Sequence, residues 1–397
     1  MATERWHRLA TNTIIMKQIL FYICLSFSCL LSSQNIVHNT GNLKIFNDGQ
    51  IGFHIDLAND GNFDQNEGLA GFYSDNTRTI SGAFKPVFKD MEIVVTNDLF
   101  LNVAVGITNN SNFILGDIVT PRNTTDINLD FINYAFYNGD ANLTKVDGYA
   151  AITEKHNFSF PIGYQNKIRP LYIDSETSNN TAKSAYFYED PNAPSTFTKS
   201  FNTNNFADIL TAVSTYEFWH LEADTNSKIT LTWDIDSNIN SFTDTIEDLR
   251  IVGWNKTLNI WENLGNTEIS GNFSSGSITS DTFVPNNYDI VTFGSSLSAI
   301  STNFENYFVS PNNDGVNDFL HFKEVSLSPK NNNLKIYSRW GRIVYDRDSY
   351  DNTFGGTSNV RGVVKAGSAL PDGVYFYILN LQDVNIIHQG YIYLGNQ

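Results

Sequence analysis

The sequence predicts a mostly β protein, and three observations predict it. Apolar residues alternate at period two over many short runs. Asn- and Gly-rich turns separate those runs, and no window carries a long capped helical pattern. The bulk of the chain fits either β-sandwich-like regions or a short-strand solenoid, followed by a small C-terminal β-sandwich. No fixed repeat period decides between the first two.

The N-terminus has a separate character. Met16-Lys17 is a short basic start, Ile19 to Leu31 is apolar, and the small residues Ser32 and Ser33 precede Gln34. This is the pattern of an export signal. Its apolar run of about 13 residues falls short of the roughly 20 that span a bilayer. Residues 1–33 therefore read as an upstream extension and signal peptide, with translation starting at Met16 and cleavage near Ser33. Both cysteines, Cys24 and Cys29, leave with the signal, so the mature chain holds no disulfide and no cysteine metal ligand.

From Leu43 onward, Leu43 and Ile45, then Ile51, Phe53, Ile55 and Leu57, flank an Asn47-Asp48-Gly49 turn. Similar runs follow over 91–95, 99–107, 113–119, 127–131 and 158–162, making 34–168 a β-rich domain. Residues 169–295 read as a β-sandwich, its core dominated by Trp219, Trp233, Trp254 and Trp261. Only 205–212 and 245–248 suit a helical turn or two. Residues 296–303 read as a linker, and 304–397 as a compact C-terminal β unit.

Without residues 1–33 the chain has 22 basic and 41 acidic residues. Such a surface repels phosphate backbones and no Lys/Arg cluster offsets it, so nucleic acid is disfavoured as a partner. Asp60, Asn62, Asp64 and Asn66 alternate oxygen-bearing side chains as calcium loops do, although Gln65 and Gly71 break the EF-hand pattern. An Asx-rich turn without metal satisfies the same residues. Calcium, there or at the acidic loop 312–318, is the one cofactor the residues suggest. Asp234, Asp236, Asp244, Glu247 and Asp248 form a third acidic group. Glycoside hydrolysis would need two carboxylates about 5–9.5 Å apart, which the sequence does not fix. The histidines are scattered, and nucleophile-elbow, zinc and dinucleotide motifs are absent, so no catalytic residue is assigned.

The C-terminal unit is the most specific part. Pro311-Asn312-Asn313-Asp314-Gly315-Val316-Asn317-Asp318 opens it, Arg339-Trp340-Gly341 and Pro371-Asp372-Gly373 follow, and Gly390-Tyr391-Ile392-Tyr393-Leu394 closes it. Lys335 and Tyr337 alternate with Leu334, Ile336 and Ser338, as a strand requires. Tyr375 with Tyr377 and Tyr391 with Tyr393 are expected to form matching cross-strand rows. Trp340, if buried, should be a major core residue.

This series resembles the C-terminal sorting domain of Bacteroidetes proteins exported by the type IX secretion system, of the type B or gliding-motility-associated kind. The family's motif positions fall on Pro311, Asn312, Asp314, Gly315, Asn317, Asp318, Arg339, Trp340, Gly341, Pro371, Asp372 and Gly373. Phe354 stands where the family usually has tryptophan, and Gly395-Asn396-Gln397 lacks the family's common basic ending. The resemblance implies a signal-peptide-exported protein at the outer-membrane surface or outside the cell, whose partner is the type IX secretion and attachment machinery. The remainder is then a passenger. It is read as a non-enzymatic adhesive or surface-associated β protein with a glycan or surface-protein ligand. A polysaccharide-acting hydrolase or carbohydrate-binding protein, with Trp254 and Trp261 stacking on sugar if exposed, and a purely structural surface protein are the alternatives.

Overall fold

The computed structural model describes residues 16–18, 36–207, 210–296, 306–323, 325, 331–361, 365–381 and 386–395. The expected signal peptide, apart from 16–18, and the expected linker, apart from Ser296, lie outside the described residues.

From Ile36 to Ile168 the chain winds as a solenoid. It delivers strands to two sheets, largely in alternation. Ile36–Asn39, Asp56–Asn59, Arg78–Ser81, Leu99–Leu101, Ile118–Val119, Val146–Asp147 and Ile162–Tyr164 stack in parallel in one sheet. Gln50–Phe53, Leu69–Ser74, Val87–Val95, Val105–Leu115, Leu129–Ile132 and Ala150–Phe160 stack in parallel in the other. Parallel neighbours cannot be joined by a hairpin, so each coil must visit the second sheet before returning. The sandwich-or-solenoid alternative for 34–168 thus resolves to a solenoid. Its coils are unequal. Leu57 pairs with Ile80, 23 residues on, whereas Ile118 pairs with Val146, 28 on, and Val146 with Ile162, 16 on.

Period-two alternation becomes columns of buried side chains between the sheets. Phe53, Phe72, Ile93 and Phe113 are in register on successive coils, as are Phe88, Ile107, Phe131 and Ile152. All eight are at least 97 % buried, and Phe53 stacks on Phe72 at 5.0 Å. Polar residues tie one coil to the next. Asn39 donates through its side chain to Asn59 Oδ1 at 2.7 Å, and Asn59 donates onward to the Phe84 carbonyl at 2.9 Å. The Asp98 carboxylate accepts from the Asp117 backbone N–H at 2.8 Å, and Asp147 accepts from Gln165 at 2.8 Å. Much of the Asn and Asp content therefore satisfies backbone groups that coil corners would leave without partners.

At residue 168 the sheet does not stop. Leu171–Phe187 pairs antiparallel with Ala150–Phe160 on one side, and with both Phe218–Glu222 and Ser227–Asp234 on the other. The same sheet continues through Tyr288–Ser296 and Leu249–Asn255 to Trp261–Asn263. One apolar core runs from Ile45 to Phe293 and contains Trp219 and Trp233. A second, on the opposite face, holds Trp254 and Trp261. Neighbouring Ile251 and Val252 belong to different cores, so their strand is buried on both faces. Instead of a separate sandwich around four tryptophans, 169–296 extends the solenoid's sheet and divides the tryptophans between its faces. The helical turn expected at 245–248 is a 3-10 turn over Ile246–Asp248, and the one at 205–212 gives way to a strand at Leu210–Val213.

The C-terminal unit is a five-stranded sheet in the order Tyr307–Val309, Ile386–Leu394, Gly373–Leu381, Asn332–Ser338, Ile343–Asp348. Its inner face buries Leu334, Ile336, Tyr377, Leu379 and Ile392 under loops carrying Leu320, Phe322, Tyr350, Phe354 and Leu370. Among the described residues the second layer is this set of loops, not a second sheet. Phe354 fills the place expected of it, 98 % buried with its ring edge-on to Tyr345 at 4.8 Å. The tyrosine rows do not match. Tyr391 pairs with Phe376 and Tyr393 with Val374, which places both on the outer face, while Tyr375 and Tyr377 face inward. An offset of one residue in pairing inverts the face.

Candidate functional site

Two motifs of the C-terminal unit, more than thirty residues apart, converge on one groove. The first is the turn joining Asn332–Ser338 to Ile343–Asp348. There Ser338 donates its N–H to the Arg342 carbonyl and Gly341 donates to the Ser338 carbonyl, at 2.8 and 2.9 Å. Gly341 sits at φ 77°, a left-handed conformation that glycine adopts without a Cβ penalty. The turn lifts Trp340 away from the sheet, leaving it 72 % exposed. This overturns the expectation of Trp340 as a core residue. The Arg339 guanidinium lies over the indole, 4.2 Å from the ring centroid.

The second motif, Pro371-Asp372-Gly373, leads into Gly373–Leu381. Tyr375 donates its hydroxyl to the Pro371 carbonyl at 2.7 Å and holds that approach against the strand. Between the motifs lies a cavity of about 330 Å³ whose walls include Arg339, Trp340, Leu370, Pro371, Asp372 and Tyr375.

The remaining motif does not line this groove. Pro311 precedes a loop that closes on itself. Asp318 accepts the N–H groups of Asn313 and Gly315 at 2.7 and 2.9 Å, and Asp314 accepts that of Val316 at 2.8 Å. That backbone bond, then the Asn312 side chain, holds the Asp314 carboxyl below the usual carboxylate range. Asn317 donates nothing to the acids but accepts the Ser310 N–H through its carbonyl. It sits, like Asn313 and Gly315, at positive φ.

In the solenoid, Asp60 faces His38 at 2.7 Å and accepts the Ala83 N–H at 2.8 Å. Asn66 is buried, accepting from Ile45 and donating to the Phe63 and Val87 carbonyls. Asn62 and Asp64 are exposed. Two of the four side chains thus link coils and two point outward. Among the described residues no group of three or more His, Cys, Asp or Glu side chains is placed to hold a metal ion. In the third acidic group, Asp234 pairs with Arg169 and Lys167, Asp236 with Lys167, and Asp244 with Lys323. Asp244 and Asp248 share a shallow cavity with that lysine, and Glu247 is exposed. Trp254 and Trp261 are 96 % and fully buried, packed edge-on at 5.6 Å, which removes them as sugar platforms.

A buried polar cluster escaped sequence reasoning. Glu217, fully buried, accepts from Arg169 at 3.2 Å and from the Tyr186 hydroxyl at 2.5 Å. Burial, then the Glu217 charge, drives the Tyr186 hydroxyl far above its ordinary range, so it remains a donor. Arg169 also binds Asp234, tying the last solenoid coil to the antiparallel strands. The signal in the sequence is a glutamate directly before the apolar pair Phe218-Trp219. Its partners, 31 and 48 residues away, leave no local trace.

Comparison with protein-family models matches residues 302–394 to the CHU_C type IX secretion signal domain. Residues 302–394 are a type IX secretion signal domain. The resemblance read from the motifs therefore holds, and the groove belongs to this domain. No curated protein and no solved structure matches the chain. The signal domain implies a Bacteroidetes protein that interacts with the type IX secretion machinery and reaches the cell surface or the extracellular space.

Proposed function

We propose that the passenger, residues 34–296, is a non-enzymatic adhesive scaffold that the signal domain delivers to the outer surface. The observation that carries this reading is a polar ladder running across successive coils of the solenoid. Tyr73 donates to Glu92 Oε1 at 2.9 Å, Asn112 to Glu92 Oε2 at 3.2 Å, and Asn138 to Asn112 at 2.9 Å. Four coils thereby present pre-ordered polar groups at strand spacing, about 4.8 Å apart. Beside them the His54 ring lies 5.6 Å from Tyr73. Groups already held in place lose little entropy on binding, which suits a glycan or surface-protein ligand.

Of the carboxylates considered for hydrolysis, Asp234, Asp236 and Asp244 are paired with lysine or arginine and Glu247 lies exposed. In this reading export begins with a signal peptide over Ile19–Leu31 cut near Gln34. Sequencing the N-terminus of surface-released protein should find it within a few residues of Gln34.

Adhesion is tested with cells carrying the full chain. Glu92→Ala with Asn112→Ala should lower attachment to polysaccharide-coated surfaces several-fold at unchanged surface abundance. Unchanged attachment would remove the adhesive role. Release of reducing sugar by the purified protein would replace it with an enzyme.

A further inference from the structure

We propose that the groove between the Arg339–Trp340 turn and the Pro371–Asp372–Gly373 turn docks a carboxylate-bearing segment of a partner polypeptide during delivery; this rests on the signal domain being the part that delivers the chain. Charge points to such a partner. Residues 34–303 carry 14 basic and 32 acidic residues, whereas 304–397 carry 8 and 9. An acidic partner is repelled by the passenger and is free to approach the signal domain. In the passenger, Arg78, Arg122 and Arg169 each face a carboxylate and Arg250 donates to the Glu247 and Leu249 carbonyls, while in the signal domain Arg347 faces Asp351. Arg339 and Arg342, three residues apart on the groove's turn, form no ion pair among the described residues.

Shape and composition agree with charge. Single exposed apolar side chains are ordinary, but this one is a tryptophan beside a cavity with an unpaired arginine stacked on it. Trp, Tyr and Arg are the residues enriched where binding energy concentrates, and Trp340, Tyr375 and Arg339 all line this groove. A cavity of about 330 Å³ is at the small end of ligand pockets, enough for one or two side chains. Arg339 offers planar, bidentate donors to a carboxylate, and the indole offers an apolar wall to the residue beside it. Asp372 on the opposite wall orients the segment, with its carboxylate toward the 339–342 turn. An acidic lipid headgroup would satisfy the arginines but would leave the Trp340, Leu370 and Pro371 walls of the groove unused.

The test follows surface delivery of the full chain in a host with a type IX system. Trp340→Ala, and Arg339→Glu with Arg342→Glu, should each reduce delivery at least about tenfold. Arg339→Lys with Arg342→Lys should lose less than the glutamate pair but still fall several-fold below wild type, because charge is kept while the bidentate fork and the stack on the indole are lost. Purified variants should melt within about 2 °C of wild type, since substitutions at exposed positions change stability little. A benzoylphenylalanine at position 340 should crosslink to a peptide with Asp or Glu beside the attachment point. Wild-type delivery of the alanine and glutamate variants, with the chain lacking 304–397 retained in the periplasm, would overturn the groove and leave delivery by the signal domain standing. Normal delivery without 304–397 would overturn that delivery reading itself. A crosslink to an uncharged segment, or binding of wild type but not the double glutamate variant to phosphatidylglycerol vesicles, would also overturn the polypeptide carboxylate.

Discussion

Phe354 and Trp340 exchange the roles that their residue types suggest. The signal domain uses phenylalanine, not tryptophan, for its core. The Phe354 carbonyl accepts from Leu320 at 2.8 Å, and its N–H donates to the Tyr350 hydroxyl at 3.1 Å. Phe354→Ala should destabilise the signal domain by about 3–5 kcal/mol, through lost transfer energy and the cavity left behind. Denaturant titration followed by tyrosine fluorescence would measure it. His220 makes a second residue-scale prediction. It is 91 % buried, shares a hydrogen bond between its Nδ1 and the Tyr149 hydroxyl at 2.9 Å, and has its pKa lowered to about 4, chiefly by burial and then by Lys256 and Lys183. In the unfolded chain it protonates near pH 6.5, whereas the folded chain resists protonation to about pH 4. Its stabilising contribution is complete above pH 6.5 and is lost as pH falls toward 4, by up to about 3 kcal/mol. His220→Phe should flatten that part of the stability profile, measured by urea unfolding at pH 7 and pH 4.5.

At the scale of elements, the solenoid coils turn on glycines and asparagines whose backbones lie close to the neighbouring coil. Gly116 adopts φ 83°, and a Cβ there would stand 1.9 Å from the Val95 carbonyl oxygen. Gly116→Ala should therefore cost more than the roughly 1–2 kcal/mol of a left-handed non-glycine residue. The loss should appear as a lower thermal midpoint of the passenger transition. Element type was legible in most places: Ile51 with Phe53 and Leu334 to Ser338 alternate as strands must, and the β-branched and aromatic run Ile343 to Tyr345 is a strand, whereas Leu43 to Ile45, expected as a strand, is irregular backbone before the turn. Pairing was not. Tyr391 and Tyr393 have the same spacing as Tyr375 and Tyr377, and only the register Phe376–Tyr391 sends one pair outward and the other in. The groove was half legible, since both its motifs stood out in the sequence. Their convergence needs Asn332–Ser338 to lie beside Gly373–Leu381.

At the scale of the whole molecule, the continuity of the sheet through residue 168 has a mechanical consequence. Ala150–Phe160 is covered on its free edge by Leu171–Phe187, as though the last parallel coil were capped by an antiparallel strand. A chain ended at 168 would expose that edge together with Phe158 and Phe160, and an uncovered apolar edge is a template for aggregation. Residues 34–168 alone should therefore aggregate, while 34–296 should remain monomeric and unfold in a single transition. Size-exclusion chromatography and calorimetry of the two fragments would check this. Independent, soluble folding of 34–168 would show that the antiparallel strands only accompany the solenoid.

The sequence by itself determined the β class, the compact C-terminal unit and the family of its motifs. These depend on short-range patterns: period-two alternation, glycine and proline at turns, and motif residues adjacent in the chain. Only the tertiary structure decided that the first part is a solenoid. Coil lengths range from 16 to 28 residues, so equivalent positions such as Ile118, Val146 and Ile162 share no period that a linear search detects. It also decided that Trp254 and Trp261 are core, that Glu217 is paired with Arg169 and Tyr186, and that Trp340 is exposed. Burial and partnership are set by segments distant along the chain, whereas turn and strand preferences are set by neighbours.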